Sequence, residues 1–222
     1  MKHYLIHRYL LPPVLILLFA LEALAADPKI QFRTIETEHF YIHYHQGLED
    51  LARRAAPIFE EVHLELTILF GWEVDGPTHV VFTDFTDSAN GSSSSLFQPL
   101  IRLYATAPTS DSSLQYNDHY LRTLFTHEYT HMISLRIHSG VSRFINAIFG
   151  TVYLPNTVSP RWYHEGIAVL NETYETTGGR IRSPYFPMII RTGVFEDTFL
   201  SLGEASNDTR GFPRGTGHYV YG

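Results

Sequence analysis

Residues 124–135 read Leu-Phe-Thr-His-Glu-Tyr-Thr-His-Met-Ile-Ser-Leu, and the interpretation of the whole chain depends on this stretch. Its apolar residues recur every three or four positions, which predicts an amphipathic helix over residues 118–137 with Asp118 as the N-cap. On such a helix His127 and His131 lie one turn apart on one face. Both imidazoles can therefore reach one metal ion, while Glu128 projects beside them toward a water on that ion.

A catalytic zinc ion takes three protein ligands and keeps one position open, so a third ligand must come from another segment. His138 is excluded, because seven residues of helix place it about 10 Å beyond His131 along the axis. Glu165 is the better candidate, since it lies in a further predicted helix, residues 161–171. Two alternatives stay open: Glu172, two turns later, is the ligand, or Glu165 is a solvated surface residue.

The composition is that of a globular protein, with 44% hydrophobic and 18% charged residues, and predicts one catalytic domain over residues 26–222. A formal net charge of −7 argues against a surface that binds phosphates, so no nucleic-acid partner is expected. There is no cysteine, which excludes disulfides.

The first 25 residues are predicted to be a cleaved signal peptide. Lys2 and Arg8 precede an apolar run over residues 10–21, and Ala23-Leu24-Ala25 matches the small-x-small pattern of a cleavage site after Ala25. An uncleaved membrane anchor is the alternative, but the run is shorter than the roughly 20 residues that a bilayer requires. We therefore expect an exported protein, periplasmic or extracellular.

The mature chain is predicted to fold as an α+β domain, a small mixed sheet packed on helices, because strands come first and helices later. Alternation predicts a strand over residues 31–44, whose face bearing His39, Tyr41, His43 and His45 is expected to face solvent rather than bind metal. The other predicted segments are a helix at 48–70, strands at 78–85 and 99–105, a polar loop at 88–95 and a helix at 141–149.

A His-Glu-x-x-His helix followed by Trp162-Tyr163-His164-Glu165-Gly166 resembles the gluzincin zinc metallopeptidases of the peptidase MA-like family. The resemblance implies a zincin-like catalytic domain that uses Zn²⁺ to hydrolyse a peptide or protein substrate. It also implies that His127, His131 and Glu165 bind the zinc and that Glu128 is the general base. A longer form of the chain, continuing beyond Gly222, would by the same resemblance carry a C-terminal β-propeller.

The chain departs from the family pattern in its supporting residues. Val169 stands where thermolysin-like enzymes place an Asp that supports the first histidine, so no residue is assigned to that role. The Gly-x-Met-Glu-Asn segment of the related aminopeptidases does not occur, which argues against aminopeptidase specificity.

Hydrolysis also needs a donor to the oxyanion of the substrate, commonly a Tyr or His beyond the third ligand. Tyr219 is the leading candidate, with His218 and Tyr221 as alternatives, and a packing role for any of the three stays open. An extended substrate is expected to pair with the strand at 99–105. Trp162 and Tyr163 are expected to be core residues rather than pocket residues.

Two other functions remain as alternatives to a peptidase. One is an exported, non-catalytic zincin-like binding or scaffold module, and the other is a zinc hydrolase that acts on a different amide or ester. Glu128 favours an enzyme, because a structural zinc site gains nothing from a base beside an open coordination position.

Overall fold

The computed structural model describes residues 29–110, 112, 114–117, 119–207 and 217–222. The signal peptide at residues 1–25 therefore lies outside the described residues and stays a prediction. The chain divides into two compact units, Met1–Phe32 and Arg33–Gly222, and the second unit contains all of the candidate site residues. Among the described helices, none has the length and apolar character needed to cross a bilayer.

In the part of the chain that the structure describes, the sheet has five strands in the order β1-β2-β3-β5-β4. Its strands are β1 (Phe32–Glu36), β2 (Phe40–His45), β3 (Thr78–Thr83), β4 (Gly91–Ser94) and β5 (Leu100–Tyr104). β2, β3 and β5 run parallel, with Ile42 opposite Val80 and Val80 opposite Ile101, whereas β4 pairs antiparallel with β5. The predicted mixed sheet is thus confirmed.

Two of the sequence predictions for this sheet were wrong. The single strand expected over residues 31–44 is two strands, because Thr37 forms a turn in which its N–H donates to Phe40 O at 2.9 Å. The polar segment at 88–95 is not only a loop, since it contains β4. Gly and Ser have low β-propensity, and pairing with β5 determines the conformation of this segment instead.

Seven α-helices are described, together with 3₁₀ turns at Pro155–Val158 and Arg180–Arg182. The helices are α1 (Glu49–Phe70), α2 (Tyr120–Arg136), α3 (Gly140–Phe149), α4 (Arg161–Tyr174), α5 (Tyr185–Phe195), α6 (Leu202–Asn207) and α7 (Gly217–Val220). The predicted N-cap Asp118 lies outside the described residues, and His119 accepts from Arg122 N–H at the start of α2. Strands followed by helices agree with the expected α+β class.

The main core lies between the sheet, α1 and α2. Alternate residues of β2 are buried, as the sequence pattern predicted, and alternate residues of β3 are buried too. They meet an aromatic cluster in which the rings of Phe59 and Phe125 stack at 3.8 Å. Tyr129 is 1% exposed and belongs to this cluster. Since Tyr129 fixes the rotation of α2 about its axis, His127 and His131 lie on the side of α2 that packs against α4.

Candidate metal centre

Three side chains from two helices converge where α2 packs against α4. The Nε2 atoms of His127 and His131 are 3.2 Å apart, and Oε2 of Glu165 lies 3.4 Å from the first and 3.3 Å from the second. Tetrahedral ligands at ~2.0–2.1 Å from a zinc ion are separated by about 3.3 Å. The three atoms therefore form a triangle of the size that one zinc ion requires.

The carboxylate of Glu165 supports this fit. Its Oε2 atom is buried and has no hydrogen-bond partner among the described residues, although it faces two imidazole nitrogens. Burial raises the pKa of Glu165, but the interactions with His127 and His131 lower this pKa by a larger amount. The net shift of the pKa is therefore strongly downward. An ionised, unsatisfied carboxylate beside two imidazoles is a donor set that suits a divalent metal ion.

The residue that supports His127 was not assigned from the sequence. Oε2 of Glu172 lies 2.9 Å from Nδ1 of His127, on the side of the ring away from Glu165. Glu172 therefore does not join the ligand triangle, and the alternative in which it binds the metal is not supported. Instead it fixes the ring of His127, since a carboxylate that accepts from Nδ1–H leaves the Nε2 lone pair free.

Glu172 is itself held by a buried cation, Arg180. The Nε and Nη2 groups of Arg180 donate to the two carboxylate oxygens at 2.7 and 2.6 Å, and its backbone N–H donates to Oε1 at 3.0 Å. Burial raises the pKa of Glu172, but the charge and hydrogen bonds of Arg180 outweigh this effect and lower it to about 2. The carboxylate therefore stays ionised at neutral pH.

Arg180 also lies 2.7 Å from Nδ1 of His127. A guanidinium group cannot accept a hydrogen bond, and Glu172 lies within reach of both groups. The consistent arrangement is one in which His127 and Arg180 each donate to Oε2 of Glu172. The sequence signal for Glu172 was its spacing of two helical turns from Glu165, which places both glutamates on one face of α4.

Glu128 lies beside the triangle in a cleft of about 640 Å³ that also contains Tyr219 and the start of β4. Its side chain lies against the backbone of β4, since a Cβ atom added to Gly91 would be 2.9 Å from Cγ and 3.1 Å from Oε1 of Glu128. The absence of a side chain at Gly91 therefore leaves the space that Glu128 occupies.

Of the three oxyanion-donor candidates, Tyr219 is the one that lines the cleft. Its ring centroid is 6.2 Å from that of His127, and the guanidinium carbon of Arg180 lies 4.7 Å from its ring centroid. Burial raises the pKa of the Tyr219 hydroxyl, which keeps it protonated and able to donate. Tyr221 instead packs against Phe199, and His218 is buried behind the ring of Tyr219.

Two small residues of α4, Gly166 and Ala168, lie in close-packed surroundings. A Cβ atom at Gly166 would clash with the backbone of Gly222, so this glycine accommodates the segment that carries Tyr219. Ala168 is fully buried. Gly166 thus allows the segment that follows α7 to approach α4 closely.

Several predictions about neighbouring residues were wrong. Trp162 and Tyr163 are not core residues: both line a separate cavity of about 350 Å³, and Tyr163 is 46% exposed. The strand predicted to pair with substrate, β5, is enclosed between β3 and β4, so it has no open edge. The edge strand beside the cleft is β4.

The remaining histidines lie away from the triangle. His138 is buried, lies 2.6 Å from the carbonyl oxygen of Arg136 and contacts Trp72, as expected of a residue that cannot share the ion. The histidine face of β2 is not simply solvent-facing. His45 is buried beside Asp84 at 2.8 Å, and His43 is hydrogen-bonded to His79 at 2.8 Å.

A second group of potential ligands comprises His39, His63 and Glu73. Its imidazoles stack in parallel, with centroids 3.7 Å apart, and the Glu73 oxygen lies 3.7 and 3.9 Å from their Nε2 atoms. Parallel rings direct their lone pairs side by side rather than toward one point. This group therefore suits a shared ion less well than the triangle on α2 and α4.

Comparison of the sequence with protein-family models gives no match, and comparison with curated proteins also gives none. The family resemblance therefore rests on the two motifs and on the arrangement of the residues that they contain.

Proposed function

We propose that the chain is a zinc-dependent metallopeptidase with a zincin-like catalytic domain. The observation that carries the proposal is the triangle formed by His127, His131 and Glu165, whose sides of 3.2 to 3.4 Å match the spacing of zinc ligands. The protein would act outside the cytoplasm, after removal of residues 1–25.

The chemistry requires a base, an electrophile and a donor. A bound zinc ion would polarise the scissile carbonyl and lower the pKa of a water molecule. Glu128 accepts a proton from the attacking water and delivers it to the leaving amine nitrogen, so that one water and one peptide bond give a carboxylic acid and an amine. Tyr219 donates a hydrogen bond to the oxygen that becomes negatively charged during attack.

The edge strand favours a peptide over other amides and esters. Residues 89–93, which include most of β4, line the same cleft as the triangle. An extended peptide can add to an exposed strand edge through main-chain hydrogen bonds, and this would align its carbonyl with the metal site. A small amide or ester has no extended main chain that could pair with such an edge.

A non-catalytic binding module is the second candidate, because a fold can retain its site without activity. Glu128 argues against it, since the residue lies in the cleft and none of the described side chains forms an ion pair with it. A base kept available beside an open coordination position is what hydrolysis requires.

The test compares the full chain, purified from the exported fraction with its zinc content measured, with Glu128→Gln and Glu165→Ala. We expect one zinc per wild-type chain and cleavage of a peptide library that stops on chelation and returns on adding zinc. Glu128→Gln should keep zinc and lose about 10²–10⁴-fold of its turnover. Glu165→Ala should lose both.

The exposed Glu196→Gln variant is the matched control and should cleave as the wild type does. Normal cleavage by Glu128→Gln would refute the role of Glu128. A zinc-loaded chain that cleaves no peptide would favour the binding module.

A further inference from the structure

The helix that follows the metal-binding helix has its apolar side chains on the outside. In α3, Ser142 and Asn146 are buried, whereas Val141, Phe144 and Ile148 are 73%, 68% and 57% exposed. A surface helix normally buries its apolar stripe and exposes its polar one. The orientation of α3 is therefore the reverse of the usual one.

Buried polar side chains hold α3 in this orientation. The side chain of Asn146 accepts from the N–H groups of Val152 and Tyr153 at 3.1 and 2.9 Å and donates to the carbonyl of Tyr153 at 2.8 Å. Ser142 donates to Ser139 O at 2.7 Å. Because an amide with three bonds to the backbone fixes the rotation of the helix, the exposure of Phe144 is built into the fold.

The loop after β4 extends the same apolar surface. Phe97 has a φ of 56°, a conformation that bulky residues rarely adopt, and is 73% exposed. Its N–H donates to Thr151 O at 2.7 Å. The guanidinium group of Arg136 donates to Ser95 O at 2.6 Å and to the Thr151 hydroxyl at 2.8 Å, which connects the two segments. We call the resulting surface the apolar face; it comprises Phe97, Val141, Phe144, Ile148, Phe149 and Tyr153.

The two segments that form the apolar face contain basic residues but no acidic ones. The chain has 23 Asp and Glu residues, yet none occurs in residues 88–110 or 129–164. Arg143 lies on the same helix, is exposed and has no ion-pair partner among the described residues. In a chain of net charge −7, the two segments that form the apolar face thus contribute no carboxylate to it.

We propose that the apolar face docks the protein onto a membrane surface that carries anionic lipid headgroups. Helices that lie in a membrane interface combine an apolar stripe of aromatic and aliphatic side chains with basic residues. In α3 the apolar stripe is exposed and Arg143 is the basic residue beside it. An anionic surface repels carboxylates and attracts arginine, which accounts for the missing acidic residues. An apolar protein partner requires no such one-sided charge.

The apolar face lies close in the chain to a strand that lines the cleft. The apolar face includes the residue that follows β4 by three positions, and β4 lines the cleft of the metal centre. A protein held at this face would work next to the bilayer. The proposal does not depend on hydrolysis, because neither Phe144 nor Arg143 contacts the triangle.

The test measures binding of the full chain to vesicles of phosphatidylcholine alone and of phosphatidylcholine with phosphatidylglycerol. We expect the wild type to sediment with the anionic vesicles. Phe144→Ser combined with Ile148→Ser should lower the partition coefficient at least about tenfold, since two apolar side chains leave the interface. Arg143→Glu should lower it about tenfold on anionic vesicles only.

Matched controls use exposed residues of α5. Phe195 is 84% exposed and Arg191 is also exposed, so Phe195→Ser and Arg191→Glu make the same chemical changes elsewhere. Both should bind vesicles as the wild type does, and all variants should hydrolyse a soluble peptide at the wild-type rate. Equal loss in the α3 and α5 variants would overturn the proposal.

Tryptophan fluorescence distinguishes binding through the apolar face from binding through the apolar run at residues 10–21. Phe144→Trp should show blue-shifted emission on anionic vesicles and quenching by brominated lipids, whereas Phe195→Trp should show neither beyond the signal of Trp72 and Trp162. A Phe144→Trp side chain that stays solvent-exposed on vesicles would overturn the proposal. The proposal would also be overturned if the wild type did not bind vesicles but formed a dimer in light scattering, and the Phe144→Ser variant were a monomer.

Discussion

The carboxylate of Glu172 lies 2.9 Å from Nδ1 of His127 and is held there by Arg180 at 2.6 Å. In the proposed metal centre, Glu172 takes the role that the resemblance to thermolysin-like enzymes would give to an Asp one turn after Glu165. Here Val169 occupies that position, and the supporting carboxylate comes two turns after Glu165. The ring of His127 is oriented all the same, because Glu172 reaches it from α4, whereas Val169 packs with Phe186, Ile189 and Val220.

Glu172→Gln should weaken zinc binding by about 10–100-fold and should also lower the stability of the fold, because buried Arg180 loses its counter-ion. An amide keeps the shape of the side chain but removes the charge that makes His127 a stronger donor to the metal. The measurement is competition with a chromophoric chelator, with circular dichroism as the check on folding. Glu175→Gln, at the end of the same helix, is the control, and equal zinc affinity in both variants would show that Glu172 has no influence on the metal.

Gly91→Ala should lower turnover about tenfold or more without loss of zinc. The new Cβ would lie 2.9 Å from Cγ of Glu128, so the flexible carboxylate must move, and a displacement of this size near reacting atoms is costly to catalysis. Steady-state kinetics on a soluble peptide measure the effect. Gly203→Ala is the matched control, since a Cβ there meets nothing within 4 Å. Unchanged kcat in Gly91→Ala would mean that Glu128 does not act from this position.

Tyr219→Phe should lower kcat by about 10²–10³-fold with little change in KM or zinc content, because the lost hydroxyl acts only when the oxyanion forms. Tyr221→Phe makes the same change on a neighbouring ring that packs against Phe199, and it should be silent. If the two variants lost activity equally, the assignment of Tyr219 as the donor would be wrong.

Much of this arrangement was predictable from local patterns. The periodicity of residues 118–137 and 48–70 predicted α2 and α1 to within a few residues, because each helix buries one continuous stripe. The spacing of His127 and His131 fixed their common face, and Glu165 was found by the requirement for a third ligand.

What was missed depends on tertiary pairing. β4 has the composition of a loop, and only its hydrogen bonds to β5 make it a strand. Arg180 gave no periodic signal, since it lies in a 3₁₀ turn whose position relative to α4 is set by the fold. Trp162 is a residue type that is usually buried, yet its burial depends on which other segments pack against it in the fold.

Buried His63 should make the protein less stable as the solution becomes acidic. Burial, aided by the charge of His39, lowers the pKa of His63 from its ordinary 6.5, and its Nδ1 lies 2.7 Å from the Tyr129 hydroxyl. As pH falls below 6.5, the unfolded chain therefore takes up a proton that the folded chain does not. Stability thus falls with pH until the folded pKa is reached.

The measurement is the free energy of unfolding in urea for the wild type and His63→Gln between pH 7.5 and 5. The wild type should lose stability more steeply over this range, because the glutamine does not titrate while it can still pair with Tyr129. His119→Asn, an exposed position where the new residue can keep the helix cap, should follow the wild type. Parallel curves for the wild type and His63→Gln would mean that burial of His63 makes no contribution to acid sensitivity.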